Sequence, residues 1–291
     1  MELKQLLYFQ KVAHTQNISK AADELFIAQP SLSATIKRLE TEAGMPLFDR
    51  VGKTIVLNDA GRIFLKYVNQ VFLSLDNADK ELKELCNDSD KKVCISIQAA
   101  SLLLPDIIRK IKEELPDIQL TILQQRHEEA HASDLQITSD FELSFETASE
   151  LLLEEPLGIV FPKGSPLALK KNIVKKDLVS ESFITLSSKC SLNRIIAYYC
   201  EKELFYPKIS TYVDSPNIMR DLLNINQDVA IIPQYSWRNF YEGFLTFRPI
   251  DDMPMKRYLT LSYDKERYMT SYVHKCKDLI ISCFQEYASI I

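Results

Sequence analysis

Only six glycines occur among the 291 residues, and they build neither a Gly-rich phosphate loop nor a nucleophile elbow. No apolar run approaches the roughly 20 residues needed to cross a bilayer. The start, Met1-Glu2-Leu3-Lys4-Gln5, lacks the apolar core and small-residue cleavage site of a secretory signal. A cytoplasmic protein with no membrane partner is therefore expected. The six cysteines (Cys86, Cys94, Cys190, Cys200, Cys276 and Cys283) include no CxxC pair, which argues against a zinc site and a disulfide framework and predicts mostly buried apolar fillers. Basic excess is also missing: 35 Lys and Arg face 40 Asp and Glu, a formal net charge of -5. Any nucleic-acid footprint must then be local. What remains is an ordinary folding composition, 46% hydrophobic and 26% charged, in a chain long enough for a small module plus a larger one.

The first module reads as three helices. Leu3, Leu6, Leu7, Phe9, Val12 and Ala13 recur at helical spacing. After the polar break His14-Thr15-Gln16-Asn17, a short helix carries Ile18, Ala21, Ala22 and Leu25, with Ser19 expected as its N-cap. A third begins at Gln29-Pro30, where a missing N–H costs nothing, and has the stripe Leu32, Ile36 and Leu39. Its far side carries Pro30, Ala34, Lys37, Arg38 and Thr41, flanked by Ser31 and Ser33. A small, hydroxylic and basic face suits a helix laid in a major groove, although a solvated face with chance basics looks the same in isolation.

The neighbours decide it. Leu47-Phe48-Asp49-Arg50 and Ile55-Val56-Leu57 flank a turn at Gly52, predicting a hairpin wing that carries Arg50 and Lys53 toward a DNA backbone. The order Ala21-Ala22, Leu25, Gln29-Pro30-Ser31, Ser33, Ile36, Leu39-Glu40, Gly44, Pro46-Leu47-Phe48, Arg50 and Leu57-Asn58-Asp59-Ala60-Gly61 resembles the N-terminal signature of LysR-type transcriptional regulators. Asn58 departs from the usual Thr but caps a helix equally well. The expected DNA-binding residues are Ser19, Gln29, Pro30, Ser31, Ser33, Ala34, Lys37, Arg38, Arg50 and Lys53.

From Asn58 the helical pattern persists, and Phe64, Val68, Val71, Leu75, Ala78, Leu82 and Leu85 form an a/d heptad seam expected to pair two copies. The polar segment from Cys86 to Lys91 marks a hinge. Beyond it, strand Val93 to Ile97, a helix through Leu104, Ile107, Ile108, Ile111 and Leu115 with Ser101 as its cap, and strand Ile118 to Ile122 form a βαβ unit. Further strands are predicted at Phe183 to Leu186, Ile209 to Val213, Val229 to Ile232 and Tyr258 to Tyr263, and a helix from Ser271 to Tyr287.

Leu153 to Pro162, followed by Ser165-Pro166-Leu167-Ala168, resembles the crossover of LysR-type effector domains, with Tyr258 to Tyr263 as the return crossing. Where that family often has Gly-x-Gly, this chain has Asn226-Gln227-Asp228. The resemblance implies an α+α/β fold class: an N-terminal winged helix-turn-helix (1–58), a linker and dimerisation helix (59–87) and a two-lobed α/β effector domain like periplasmic binding proteins (92–291), with lobe one at 92–161 and 263–291 and lobe two at 162–262. The implied partners are a double-stranded DNA operator, a small-molecule effector and the chain itself, as a homodimer pairing into a homotetramer. No cofactor, metal or enzymatic activity is expected.

Open α/β sheets bind ligands at strand ends, so the effector-binding candidates are Ala100, Ser101, Leu102, Ser187, Ser188, Lys189, Asp214 and Ser215, although hydroxyls there are often simple helix caps. Two other chemistries compete with this reading. His127-Glu128-Glu129-Ala130-His131 matches the HExxH zinc-hydrolase pattern, but its polar flanks lack the apolar face of a buried active-site helix and no third ligand is identifiable. Thiol redox sensing is the other, because Cys190 and Cys200 lie where the peroxide-sensing branch of the family keeps its reactive pair, at a separation differing by one residue. Cys190, beside Lys189 and near a helix N-terminus, is the more reactive candidate, and Cys200 reads as core. A cleft-bound metabolite is the expected signal.

Overall fold

The computed structural model describes all residues except 52–53, 87–90, 125–132, 144–147, 189, 226 and 290–291, and describes 51, 54 and 289 by backbone alone. The chain divides into two compact units, Met1–Asn87 and Asp88–Ile291.

The first unit runs α1 (Leu3–Thr15), α2 (Ile18–Glu24), α3 (Gln29–Ala43), an antiparallel hairpin of β1 (Phe48–Val51) and β2 (Thr54–Leu57), and α4 (Asp59–Leu85). Phe9, Val12, Ala21, Leu32 and Leu39 lose all or nearly all contact with solvent. The Phe9 ring meets Phe48 at 5.3 Å and Phe64 at 5.1 Å, tying hairpin and α4 to α1. The cap of α2 differs from expectation. Asn17 has extended backbone, and its side chain accepts the Lys20 amide at 3.0 Å, while Ser19 stands exposed in the first turn. Helix α3 ends at Gly44, whose φ of 78° is left-handed.

Two residues of the signature explain their own places. Glu40 Oε1 accepts the Leu47 and Phe48 amides at 2.8 and 3.2 Å, fixing the chain as it enters the hairpin. Asn58 caps α4 by accepting the Gly61 amide at 2.9 Å. At Gly61 a Cβ would lie 2.1 Å from the Leu47 carbonyl oxygen, a backbone atom that cannot swing aside. Gly61→Ala is therefore expected to destabilise this unit by about 1–3 kcal/mol, the usual cost of overpacking. Calorimetry of the full chain should show one transition lowered by roughly 4–8 °C per kcal/mol. An unshifted profile would mean that the helix and the Leu47 segment separate freely.

The second unit runs β3 (Lys92–Ile97), a 3-10 turn (Ser101–Leu103), α5 (Leu104–Glu114), β4 (Gln119–Gln124), β5 (Leu135–Asp140), β6 (Ala148–Pro162), a second 3-10 turn (Pro166–Leu169), α6 (Lys175–Leu178), β7 (Ser182–Leu186), α7 (Ser191–Lys202), β8 (Lys208–Val213), α8 (Pro216–Ile225), β9 (Ala230–Pro233), α9 (Arg238–Tyr241), β10 (Leu245–Arg248), β11 (Met255–Tyr263) and α10 (Ser271–Ser289). Strands β3 and β4 are parallel, completing the predicted βαβ unit. Ser101 does not cap α5. Ala100 takes a left-handed turn at φ 58°, and Ser101 opens the 3-10 turn that precedes the helix.

The main sheet has the order β10-β6-β11-β5-β3-β4, with β9 also on β6. Two cores flank the long antiparallel pair β6 and β11. One collects side chains up to Leu153 and from Leu259 onward, including Ile95, Ile111, Ile137 and Phe284. The other spans Leu157 to Met255, including Phe161, Ile195, Leu223 and Trp237. Between them, Glu155 on β6 stands opposite Arg257 on β11.

Candidate functional site

In the first unit, α3 turns Leu32, Ile36 and Leu39 inward, which leaves Gln29, Pro30, Ser31, Ala34, Lys37, Arg38 and Thr41 exposed and Ser33 partly so. Lys37 makes no ion pair among the described residues. Arg38 Nε approaches Glu42 no nearer than 4.0 Å. The Thr41 hydroxyl is turned back onto the Lys37 carbonyl at 2.9 Å. Arg50 is exposed on β1, and Lys53 lies outside the described residues. Of the expected DNA-binding residues, Gln29, Pro30, Ser31, Ser33, Ala34, Lys37 and Arg38 thus lie on α3 clear of its buried stripe, Arg50 is exposed on the hairpin, Ser19 is exposed on α2 and Lys53 is undescribed.

The seam of α4 divides. Val68 is buried and Phe64 half-buried in the core of the first unit, because α4 must cover Phe9 and its neighbours. Those two belong to the head and not to a free seam. Val71, Leu75, Ala78, Leu82 and Leu85 remain exposed, Leu75 by 48% and Leu82 by 63%.

In the second unit a cavity of about 340 Å³ opens between the two cores. Ala100 and Ser101 border it from the β3 side, and Asp214 and Ser215 border it from the end of β8. Four of the eight effector-binding candidates therefore meet. Leu102 instead packs against the core around Phe161, and Ser187 and Ser188 lie outside the lining. Lys189 is outside the described residues. Sequence reasoning missed Trp237, Arg257 and the entry to α7, with Cys190 at its N-cap position followed by Ser191 and Leu192, as residues that line the cavity. The signal for α7 was there, since Leu192, Ile195, Tyr199 and Cys200 form its buried stripe.

Arg257 and Glu155 are almost wholly buried at the back of the cavity, 2% and 0% exposed by side chain, and pair at 2.6 Å. Glu155 also accepts the Ser236 hydroxyl at 2.7 Å and the Tyr235 and Ser236 amides at 3.2 and 2.9 Å. This dense set of donors compensates the carboxylate for lost water.

One flank of α7 grips the end of β5. Ser191 Oγ lies 3.1 Å from Ser139 Oγ, Arg194 Nη2 lies 2.8 Å from Asp140 Oδ2, and the Tyr198 ring stacks on Phe141 at 4.0 Å. Three consecutive residues thus meet helix positions i, i+3 and i+7, which face one way.

The cysteines divide as well. Cys200, Cys276 and Cys283 are buried, Cys94 and Cys190 intermediate and Cys86 exposed, so half, not most, are interior fillers. Burial pushes the Cys200 thiol up to about 11 and Cys276 up to about 12. Cys190 precedes the first residue of α7 and Cys200 lies in its last turn. A helix rise of about 1.5 Å per residue puts their Cα atoms roughly 15 Å apart, against a disulfide limit near 7 Å. A direct bond would require α7 to unravel. His127, Glu128 and His131 lie outside the described residues. Among the described residues no cluster of His, Cys, Asp and Glu could hold a metal ion.

A winged helix-turn-helix followed by a long helix and a two-core binding domain with a cleft is the build of a ligand-responsive transcription regulator. Residues 3–62 match the model for bacterial regulatory helix-turn-helix proteins of the lysR family, and residues 92–283 match the LysR substrate binding domain. The chain belongs to the LysR family of transcriptional regulators. The HTH-type transcriptional regulator YybE of Bacillus subtilis (strain 168) is 28% identical over 98% of this chain and 100% of its own length. The transcriptional dual regulator GltC of the same organism is 27% identical over 98% of each chain. Among solved structures, a full-length OxyR variant from Pseudomonas aeruginosa superposes with TM-score 0.68 at 18% identity, covering 98% of this chain and 95% of its own. CbnR, a LysR family transcriptional regulator, superposes with TM-score 0.61 at 17% identity, covering 97% and 99%. These two share the fold.

Proposed function

We infer that the chain reads a DNA operator through α3 and the hairpin, as a homodimer paired along α4 that pairs again into a tetramer through its second units. A small molecule seated in the cleft sets how it occupies that operator. The chain divides into a winged helix-turn-helix to residue 58, a linker helix to residue 87 and a two-lobed effector domain from residue 92. The lobe boundaries move from the expected 161/162 and 262/263 back to Glu155 and Arg257, because Leu157 to Phe161 pack in the second core and Leu259 and Leu261 in the first. The protein acts in the cytoplasm and carries no enzymatic activity of its own. The observation that carries this reading is the cavity bordered from both cores, by Ala100 and Ser101 on one side and Asp214 and Ser215 on the other. A ligand there touches both lobes and so has differential contacts in open and closed states, which is the condition for shifting an equilibrium.

The test is selection of bound sequences from random DNA with the full chain, followed by footprinting of the selected site across small-molecule pools. The expected outcome is a two-fold-symmetric motif with half-sites about one helical turn apart, whose footprint changes with one pool. Absence of any enriched motif would remove the operator-reading claim. A motif whose footprint no pool alters would remove the claim of small-molecule control.

A further inference from the structure

We propose that Arg257 is the anion anchor of the cleft, and that the effector is a small organic acid whose carboxylate it holds. The inference rests on the cleft being the effector site and names the chemistry that the site selects.

Arg257 is 2% exposed by side chain, and its donors are unevenly spent. Nε donates to Glu155 Oε1 at 2.8 Å, while Nη2 forms an ion pair with the same oxygen at 2.6 Å and donates at 2.9 Å to Ser236 Oγ. Nη1 has no acceptor among the described residues. It is not sealed away either: Arg220 Nε is the single side-chain nitrogen or oxygen among the described residues that is both sealed and unpartnered. One edge of the guanidinium is thus locked to Glu155 and Ser236, and the residue lines the cavity. A planar fork fixed on one edge is preorganised to offer the other to an oxyanion, with little entropy left to lose on binding.

A second feature converges on the same space. Helix α7 opens at the cavity with Cys190, Ser191 and Leu192 on its wall, and Cys190 supplies no side-chain cap to the first amides. Uncapped N–H groups at a helix start attract negative charge. The carboxylate Glu155 does not cancel this, because four hydrogen-bond donors and the Arg257 Nη2 ion pair occupy it behind the cavity. Asp214 is the acidic side chain on the wall, at the end of β8. It favours a ligand that carries a hydroxyl or ammonium donor away from its carboxylate, and disfavours a polyanion. Trp237 and Leu186 supply an apolar surface for the body, and about 340 Å³ limits that body to a short chain or a single ring.

Cys190 gives a local readout. Full-length protein is treated with iodoacetamide, and modification of Cys190 is followed by mass mapping in acetate, succinate or benzoate, each beside its amide. At least one acid is expected to slow labelling of Cys190 about tenfold more effectively than its amide, with Cys94 labelling unchanged as the internal control. Arg257→Lys keeps a cation beside Glu155 and should abolish the preference. The wild-type comparison of acid with amide stands even if that variant fails to fold. Equal protection by acid and amide would overturn the anchor while leaving the cleft as a binding site. Protection by no acid would overturn the anchor too, with neutral amides then reporting separately on the cleft. An acid preference that survives Arg257→Lys would assign the anion to the α7 amides instead and would also overturn the proposal.

Discussion

Replacing Ser33 and Lys37 together by alanine is expected to abolish specific operator binding while the chain stays folded. Neither side chain supports the core: Lys37 is exposed and Ser33 partly exposed, on the flank of α3 away from Leu32, Ile36 and Leu39. A base or phosphate contact by Lys37 contributes about 1–3 kcal/mol, and losing the Ser33 hydroxyl adds to it. The sum lowers affinity by two to three powers of ten, enough to sink a typical operator toward the non-specific background. Gel-shift titration at one fixed salt concentration, on the selected sequence and on scrambled DNA, reads the result. If both affinities fall together and the salt slope drops by about one, Lys37 binds phosphate and not a base. Undiminished specific affinity would withdraw α3 as the recognition helix.

A single acidic substitution in the exposed part of α4 is expected to convert the assembly to monomers. Leu75 and Leu82 face solvent in the isolated chain, so Leu75→Asp costs the folded monomer little. In a two-fold pair the same carboxylate appears in both helices, where each is buried without a partner at a cost of several kcal/mol. Sedimentation at micromolar concentration should show the wild type as dimer or larger and the variant as monomer. Operator affinity should fall with it, since two linked half-sites bind far better than one. Phe64→Asp is the contrasting variant: its ring meets Phe9 at 5.1 Å, so it should unfold the first unit instead of dissociating a folded one. A wild type that sediments as a monomer would overturn the pairing along α4.

Residues whose role is local were legible in the sequence. Pro30 at the start of α3 and Asn58 before α4 are read from backbone chemistry alone, and the structure places them in those roles, whereas Gly44 entered only as part of the family signature and proves to end α3. Ser19 misled because Asn17, two residues earlier, was the better acceptor once the chain turned extended there. Phe64 and Val68 misled for a different reason. A heptad repeat states that a stripe is apolar but not what covers it, and the head domain claims the first two positions. In the second unit the strands that follow simple apolar runs were visible, but β5 and β10 went unremarked. Arg257 was missed as a site residue because nothing in Lys256-Arg257-Tyr258 distinguishes a buried pair from a surface charge; only the register opposite Glu155 does so.

The grip of α7 on β5 has a mechanical consequence. At about 1.5 Å per residue, Tyr198 lies roughly 12 Å along the helix from Cys190 at the cavity wall. A tilt of about 5° pivoting at that wall therefore moves the Tyr198 ring by about 1 Å, a shift that a ring stack at 4.0 Å does not tolerate without reseating. The helix is thus a lever that pivots where its first residues line the cavity. The Ser191 hydroxyl pair stays beside the pivot, while the contacts farther out are the exposed Arg194 ion pair and the Tyr198 stack, each worth about 1 kcal/mol or less, so they release without breaking a core. A displacement too small to register at the cavity thus becomes, at the other lobe, the difference between engaged and disengaged.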